Sequence, residues 1–353
     1  MGRIQVLPDD LANKIAAGEV VERPASVVKE LLENALDAGA TDVRIDVEAG
    51  GRRLIRIVDN GCGMLRDDAL LAFERHATSK IRKAADLFSI GTLGFRGEAL
   101  PSIASVSRLT LETRSAEEQV GSTVEINGGK IIRYDETALA AGTTITVRDL
   151  FYNVPARRKF LRSEQTELAH IASLVTHYSL AHPDKSFSLT HGGGELLQVT
   201  PVATQRERVY QVFGAKLLED LIELGEIRRE IPVEEGGAAV VYAVSGFVSR
   251  PQVQKANRNS IFLFVNRRLI RDRLLLHALT AGYHNLIPPG AFPFALLFVD
   301  CDVEEVDVNV HPSKTEVRFQ RGSFLHDFVR DAIRDALTRS RPVSSLPVRE
   351  TPQ

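Results

Sequence analysis

Pro24 and Gly39 bracket a run in which Val27, Val28, Leu31, Leu32, Ala35 and Leu36 recur at helical spacing. Proline suits the first helical position and glycine the position past the end, so the spacing predicts a helix between them with one apolar stripe. The period then changes: Val43, Ile45 and Val47 alternate with Arg44, Asp46 and Glu48. That is a strand with one buried face. Ala49-Gly50-Gly51 is turn chemistry, and a second strand over 54–58 runs into Asp59. A helix with a stripe to bury, followed by a hairpin with a face to bury, opens a layered α/β domain.

The chain has 353 residues, which suggests at least two domains. Strand patterns follow around 108–113, 120–129, 130–135 and 143–150, and a helix over 164–181. The Gly-rich stretch 190–194 has an exposed character. Thr200-Pro201 then opens a polar segment, 204–208, and the domain boundary is expected there. The second half reads as a helix near 206–213, strands, a helix over 272–283, strands over 294–299 and 306–310, and a last helix over 323–337. The expected division is 1–203 and 204–336. Residues 337–353, rich in Ser, Pro and Arg, read as a disordered tail or the start of a linker.

Composition narrows the functional classes. A net charge of −2 supplies no global basic field, so any polyanion binding must come from local patches. With 16 Phe, 6 Tyr and no Trp, few aromatics are left for a base-stacking surface. Cys62 and Cys301 are too few for a disulfide framework or a multi-thiolate metal site, and read as isolated thiols in a reducing compartment. His182 and His191 are not at zinc-ligand spacing with any cysteine. No apolar run approaches bilayer-spanning length and the first residues lack a signal-peptide core. The expected location is the cytoplasm, or the nucleus in a eukaryote.

The chemistry-bearing residues occur in a fixed order. Glu30, Asn34 and Asp37 are spaced four and then three apart, on one helical face beside the stripe. Alone this is an ordinary solvated face, but it also offers a carboxylate to activate water and an amide oxygen for Mg²⁺, which takes few protein ligands. Next, Asp59-Asn60-Gly61-Cys62-Gly63-Met64 ends a strand. An Asp there can accept from an exocyclic amine, and the glycines permit close approach to a planar ring. Then Thr92-Leu93-Gly94-Phe95-Arg96-Gly97-Glu98 runs from a loop into a helix, where backbone amides can bind phosphate oxygens. The polar segment from Arg75 to Gly91 before it reads as a lid. Gly142-Thr143-Thr144 comes last. No Walker A string and no Gly-x-Ser-x-Gly elbow occurs.

This series resembles the Bergerat-type ATP site of the GHKL superfamily. Longer strings are similar to MutL-type DNA mismatch repair proteins: the run from Ile15 to Glu30, Asn34-Ala-Leu-Asp-Ala-Gly-Ala-Thr41, Arg75-His-Ala-Thr-Ser-Lys80, Gly94-Phe-Arg-Gly-Glu-Ala-Leu100, Asp149-Leu-Phe-Tyr-Asn-Val-Pro-Ala-Arg-Arg-Lys-Phe160 and Val308-Asn-Val-His-Pro-Ser-Lys-Thr-Glu-Val-Arg-Phe319. The resemblance covers about residue 4 to about residue 335 and implies an N-terminal ATPase portion of such a protein. The implied fold is an α+β two-layer sandwich, open on one face to nucleotide, followed by a ribosomal-protein-S5-like α/β domain.

The roles that follow are those the resemblance implies. Glu30 would be the general base, and Asn34 would hold Mg²⁺ against the phosphates, with Asp37 beside it. Asp59 would accept from adenine N6, with Gly61, Gly63 and Met64 framing the base. Thr78, Ser79 and Lys80 would open the lid, and Leu93, Gly94, Phe95, Arg96, Gly97 and Glu98 would wrap the phosphates. Thr143 and Thr144 both fit the Gly-Thr box, and which hydroxyl meets nucleotide stays open. Lys314 would reach the γ-phosphate from the second domain.

The resemblance also implies ATP-driven dimerisation, as homodimer or heterodimer, through an arm around residues 2–17. It implies coupling of a MutS-type mismatch sensor to a downstream nuclease and helicase, and DNA binding without sequence preference. Two basic groups are the DNA candidates: Arg157, Arg158, Lys159 and Arg162, and, with Arg258, Arg267, Arg268, Arg271 and Arg273. Backbone-only contacts fit the low aromatic count. No nuclease is expected in these residues, because no Asp-Gln-His-Ala-x-x-Glu-type string occurs. The competing readings are a matchmaker that binds ATP with negligible hydrolysis and another GHKL ATPase of topoisomerase type.

Overall fold

The structure, a computed structural model, describes residues 17–18, 20–80, 83, 92–94, 97–232, 239–307 and 317–340. They form two compact units: the first runs to Gly214, past the polar segment at which the sequence placed the boundary, and also takes Asp307, and the second holds Ala215–Val306 and the residues from Val317.

In the first unit, α1 (Pro24–Asp37) buries Val27, Val28, Leu31, Leu32, Ala35 and Leu36, the stripe read from the sequence. Strands β1 (Asp42–Glu48) and β2 (Leu54–Asp59) make the expected hairpin, paired antiparallel with Ile45 opposite Ile57. A short helix, α2 (Arg66–Leu71), comes next, and α3 (Ala99–Ser105) follows the glycine-bearing loop. Four strands come next: β3 (Arg108–Arg114), β4 (Gly121–Asn127), β5 (Lys130–Thr137) and β6 (Gly142–Arg148). A six-residue helix, α4 (Pro155–Phe160), leads to α5 (Glu164–Ala181), whose N-terminus is capped by Ser163 accepting from Thr166 N–H. The Gly-rich stretch 190–194 holds the turn of a hairpin between β7 (Ser186–His191) and β8 (Gly194–Val199).

The sheet runs β5-β4-β3-β6-β2-β1-β7-β8 and is mixed: β1 and β7 pair parallel and all the other neighbours antiparallel. Leu31, Leu32, Ile45, Ile55, Ile103, Ile171, Val175 and Phe187 meet in one core. Burying each such side chain stabilises the layer by about 1.5–3 kcal/mol.

The next helix, α6 (Gln205–Glu219), is interrupted at Gly214, where φ is 79°. Its Arg208 has no solvent exposure. The guanidinium donates to the carbonyls of Ser179, Pro183, Lys185 and Thr200, and burial lowers its pKa to about 10. A residue that sequence patterning assigns to a solvated segment is therefore a hub of the first unit.

The second unit holds β9 (Leu221–Glu223), β10 (Ile227–Ile231), β11 (Val240–Ser249), β12 (Ile261–Val265), β13 (Arg268–Ile270) and β14 (Ala295–Cys301). Their order is β10-β11-β14-β12-β13, with β9 also on β11, and β12 and β14 pair parallel. Helix α7 (Arg273–Gly282), capped by Asp272 accepting from Leu275 N–H at 2.9 Å, packs on α8 (Gly322–Arg339). β15 (Val306–Asp307) pairs with β16 (Arg318–Phe319). Both units are α+β, helices layered on sheets.

Candidate functional site

Glu30, Asn34 and Asp37 lie on the face of α1 beside the buried stripe. The Glu30 side chain keeps 14% of its exposure, and its Oε1 is 3.5 Å from Lys29 Nζ. Lys29 also lies 3.3 Å from Glu33, which is buried and accepts from Tyr178 O–H at 2.6 Å. Lysine and tyrosine together satisfy a carboxylate that would otherwise be costly to bury.

The strand end at Asp59 is built onto the end of this helix. Cys62 N–H donates to Ala38 O at 3.0 Å, and a Cβ at Gly61 would stand 2.9 Å from Ala38 Cβ. Gly63 has φ +68°, and a Cβ there would meet Arg114 O at 2.0 Å. The lack of a Cβ at both glycines thus permits this close backbone packing. Met64 N–H donates to Thr113 Oγ1 at 3.0 Å, and its side chain packs on the core.

Burial raises the pKa of Asp59, while hydrogen bonds from the backbone N–H groups of Gly61, at 2.8 Å, and Thr143 favour the carboxylate. The β register separates the two candidate threonines. Thr143 is opposite Asp59 on β2 and Thr113 on β3, so its side chain shares their face. Its Oγ1 lies 3.0 Å from Thr113 Oγ1. Thr144 is opposite Val58 and Glu112 and turns to the other face. Thr113 belongs to no motif, and only its place in the register reveals it.

The loop residues complete the site. Lys80 Nζ lies 2.5 Å from Asp37 Oδ2 and 3.0 Å from Asn34 Oδ1. Leu93 N–H and Gly94 N–H each donate to the Asp37 carboxylate at 2.9 Å. Thr92 O–H closes the turn on Gly94 O at 2.8 Å. The sequence reading assigned these amides to phosphate; in this structure they hold the chain's own carboxylate. The chemistry is the same, backbone N–H groups converging on an anion. Asn34 and Asp37 are hard oxygen donors already holding an ammonium, and that donor set suits Mg²⁺.

Thr78 Oγ1 accepts from Lys80 N–H at 3.2 Å and orders the approach to Lys80; Ser79 is exposed. Gly97 backs onto the Ala77 carbonyl, and Glu98 lies 3.6 Å from His76 Nδ1. Phe95, Arg96 and Lys314 lie outside the described residues, as do most of the arm and lid and all of 341–353.

Of the basic candidates, Arg158, Lys159, Arg162, Arg267, Arg271 and Arg273 are exposed. Two are corrected. Arg157 packs over Gly18, where a Cβ would stand 2.0 Å from its Nη2. Arg268 is buried, with 5% exposure. Neither presents its guanidinium openly to a polyanion. Among the described residues no cluster of three or more His, Cys, Asp or Glu side chains is placed to hold a metal, and no helix is long and apolar enough to cross a membrane.

Residues 22–149 match the family of histidine kinase-, DNA gyrase B- and HSP90-like ATPases, and residues 209–338 match the C-terminal domain of DNA mismatch repair protein. The DNA mismatch repair protein MutL of Solibacter usitatus is 69% identical over 98% of this chain and 55% of its own length. That of Acidobacterium capsulatum is 58% identical over 98% and 54%. The chain thus spans about half the length of the curated relatives it matches. Among solved structures, the Aquifex aeolicus MutL ATPase domain complexed with ADP is 28% identical with a TM-score of 0.60, covering 92% of this chain and 100% of that one. The N-terminal domain of a DNA repair protein shares the fold, with a TM-score of 0.78 at 24% identity, over 93% and 98%.

Proposed function

The chain belongs to the MutL family of DNA mismatch repair proteins and carries a GHKL-type ATPase domain, and from that premise we propose that it is a Mg²⁺-dependent ATPase whose nucleotide state gates a repair assembly. The observation that carries this reading is the convergence of Asn34, Asp37 and the Leu93 and Gly94 amides at one end of α1, next to the Asp59 turn. The ADP held by the Aquifex aeolicus domain is the nucleotide precedent.

Asp59 accepts from adenine N6, and Thr143, on the same face, lines that end of the site. Leu93 and Gly94 exchange the Asp37 carboxylate for phosphate oxygens. Asn34 would hold Mg²⁺, which supplies neutralisation of phosphate charge when bound. Glu30 orients and deprotonates the attacking water. Because the chemistry is positioning and charge neutralisation, turnover is slow and suits a switch. Lys314 senses the γ-phosphate. ATP binding drives dimerisation, as homodimer or heterodimer, and couples a mismatch sensor to nuclease and helicase. DNA is held through phosphates by the exposed cations of the two basic groups.

Phosphate release is the test. The chain with Mg²⁺ and ATP releases phosphate, while Glu30→Ala binds ATP and releases it at least about 100-fold more slowly. Normal turnover in the variant removes Glu30 from the mechanism; ATP binding without release in the unaltered chain makes the protein a pure binding module.

A further inference from the structure

Lys29 precedes Glu30 on α1, and its ammonium lies between two carboxylates, 3.3 Å from Glu33 Oε1 and 3.5 Å from Glu30 Oε1. Residues one turn apart on a helix face each other, as Lys29 and Glu33 do, whereas adjacent residues do not. The reach of Lys29 to its neighbour Glu30 therefore depends on where Glu33 holds the ammonium. Glu33 is itself fixed. It is 1% exposed and accepts from the O–H of Tyr178, a buried residue of α5, at 2.6 Å. A chain of polar contacts thus runs from α5 through Glu33 and Lys29 to the Glu30 carboxylate.

Each link constrains the next. Burial leaves Glu33 no water to take the place of Tyr178 and Lys29, so it keeps both partners. That anchors the end of a flexible four-carbon stem. The terminal torsion of a glutamate is broad and roughly two-fold, and an ammonium at Oε1 narrows it for Glu30. Glu33 also offsets the charge it positions: the Lys29–Glu33 pair sums to zero, so it can orient Glu30 without a net positive charge bearing on the carboxylate. We propose that Lys29, anchored by Glu33 and Tyr178, is a positioning residue that aims the Glu30 carboxylate at the attacking water. The inference rests on the reading of Glu30 as general base and adds to it the device that orients that base.

The test is a double-mutant cycle over Lys29 and Glu30 in the full chain, with kcat and KM measured on radiolabelled ATP so that slow variants register. Lys29→Met keeps the stem and removes the cation. It is expected to lower kcat roughly 10- to 100-fold, the cost of a misaimed group, with KM for ATP unchanged. Lys29→Arg keeps a cation between the carboxylates and should restore most of the rate. In a Glu30→Ala background, Lys29→Met should cost no more than about twofold, because the residue it orients is gone. Removing a cation beside a buried carboxylate is destabilising, so the double variant Lys29→Met, Glu33→Gln, which leaves no unpaired charge, is measured alongside, with urea midpoints to check folding. It should show the same loss of kcat. Normal turnover in Glu30→Ala removes the base and this inference with it. A slow Glu30→Ala beside a normal Lys29→Met, or beside a normal double variant, overturns the positioning role alone. A raised KM at unchanged kcat would assign Lys29 to nucleotide binding, and an equal loss in the Glu30→Ala background would make it act independently of Glu30; either overturns the proposal.

Discussion

Lys80 Nζ lies 2.5 Å from Asp37 Oδ2, and the same carboxylate accepts the N–H groups of Leu93 and Gly94. In the proposed nucleotide complex the place of the ammonium, also 3.0 Å from Asn34 Oδ1, would pass to a cation and that of the carboxylate to a phosphate. On that reading Lys80 is a side chain the site exchanges, not a wall that closes it. Hydrogen bonds to a charged group are worth about 1.5–3 kcal/mol each, so nucleotide must replace them in kind.

Asp37→Ala removes the anion that holds these amides. Without nucleotide, the segment containing Leu93 and Gly94 should then exchange its amide hydrogens at least about tenfold faster, the equivalent of one such bond. Mass spectrometry of the 92–98 peptide measures it. Unchanged exchange would mean that the amides are held by something else.

The two threonines of the Gly-Thr box should behave differently. Thr143 shares a face with Asp59 and touches Thr113, whereas Thr144 points to the opposite face. Thr143→Val should weaken nucleotide binding by about five- to tenfold, the loss of one hydrogen bond, while Thr144→Val stays within about twofold, as for a site that shares no partner with the nucleotide. Calorimetric titration of both variants decides it, and the reverse ranking would refute the register argument.

Asp59 gives a dependence on pH. Burial raises its pKa above 3.8, and the backbone hydrogen bonds from Gly61 and Thr143 only partly oppose this. The folded protein therefore holds this proton more tightly than the unfolded chain does. The carboxyl contributes its stability fully below the unfolded pKa, and that contribution is lost as pH rises through the folded pKa. Asp59→Asn cannot ionise, so the stability of the unaltered chain relative to the variant should fall as pH rises through that window. Urea midpoints at a series of pH values measure the difference, and parallel profiles would contradict the assignment.

Much of this molecule is legible in its residues, and the illegible parts share a cause. Helices α1 and α5 are long enough for their spacing and end signals to show, and the β1–β2 hairpin alternates cleanly. The six-residue helices α2 and α4 are too short to display a period, so nothing marks them. Arg208 and Arg268 read as surface cations and are buried. Arg208 is held through its two Nη atoms by four backbone carbonyls, and a carbonyl is carried by every residue type, so no side-chain pattern announces it. The site divides in the same way. The order of Asn34, Asp37, Asp59 and Gly94 is visible in one dimension; the partner of Asp37 is not, because Lys80 and Gly94 reach it through the fold.

The most direct measurement is a crystal structure of the chain with a non-hydrolysable ATP analogue and Mg²⁺. It should place adenine N6 on Asp59, the metal on Asn34 and phosphate oxygens on the amides of Leu93 and Gly94, with Lys80 withdrawn from Asp37. A nucleotide bound elsewhere, or Lys80 still seated between Asn34 and Asp37 at saturating analogue, would contradict it.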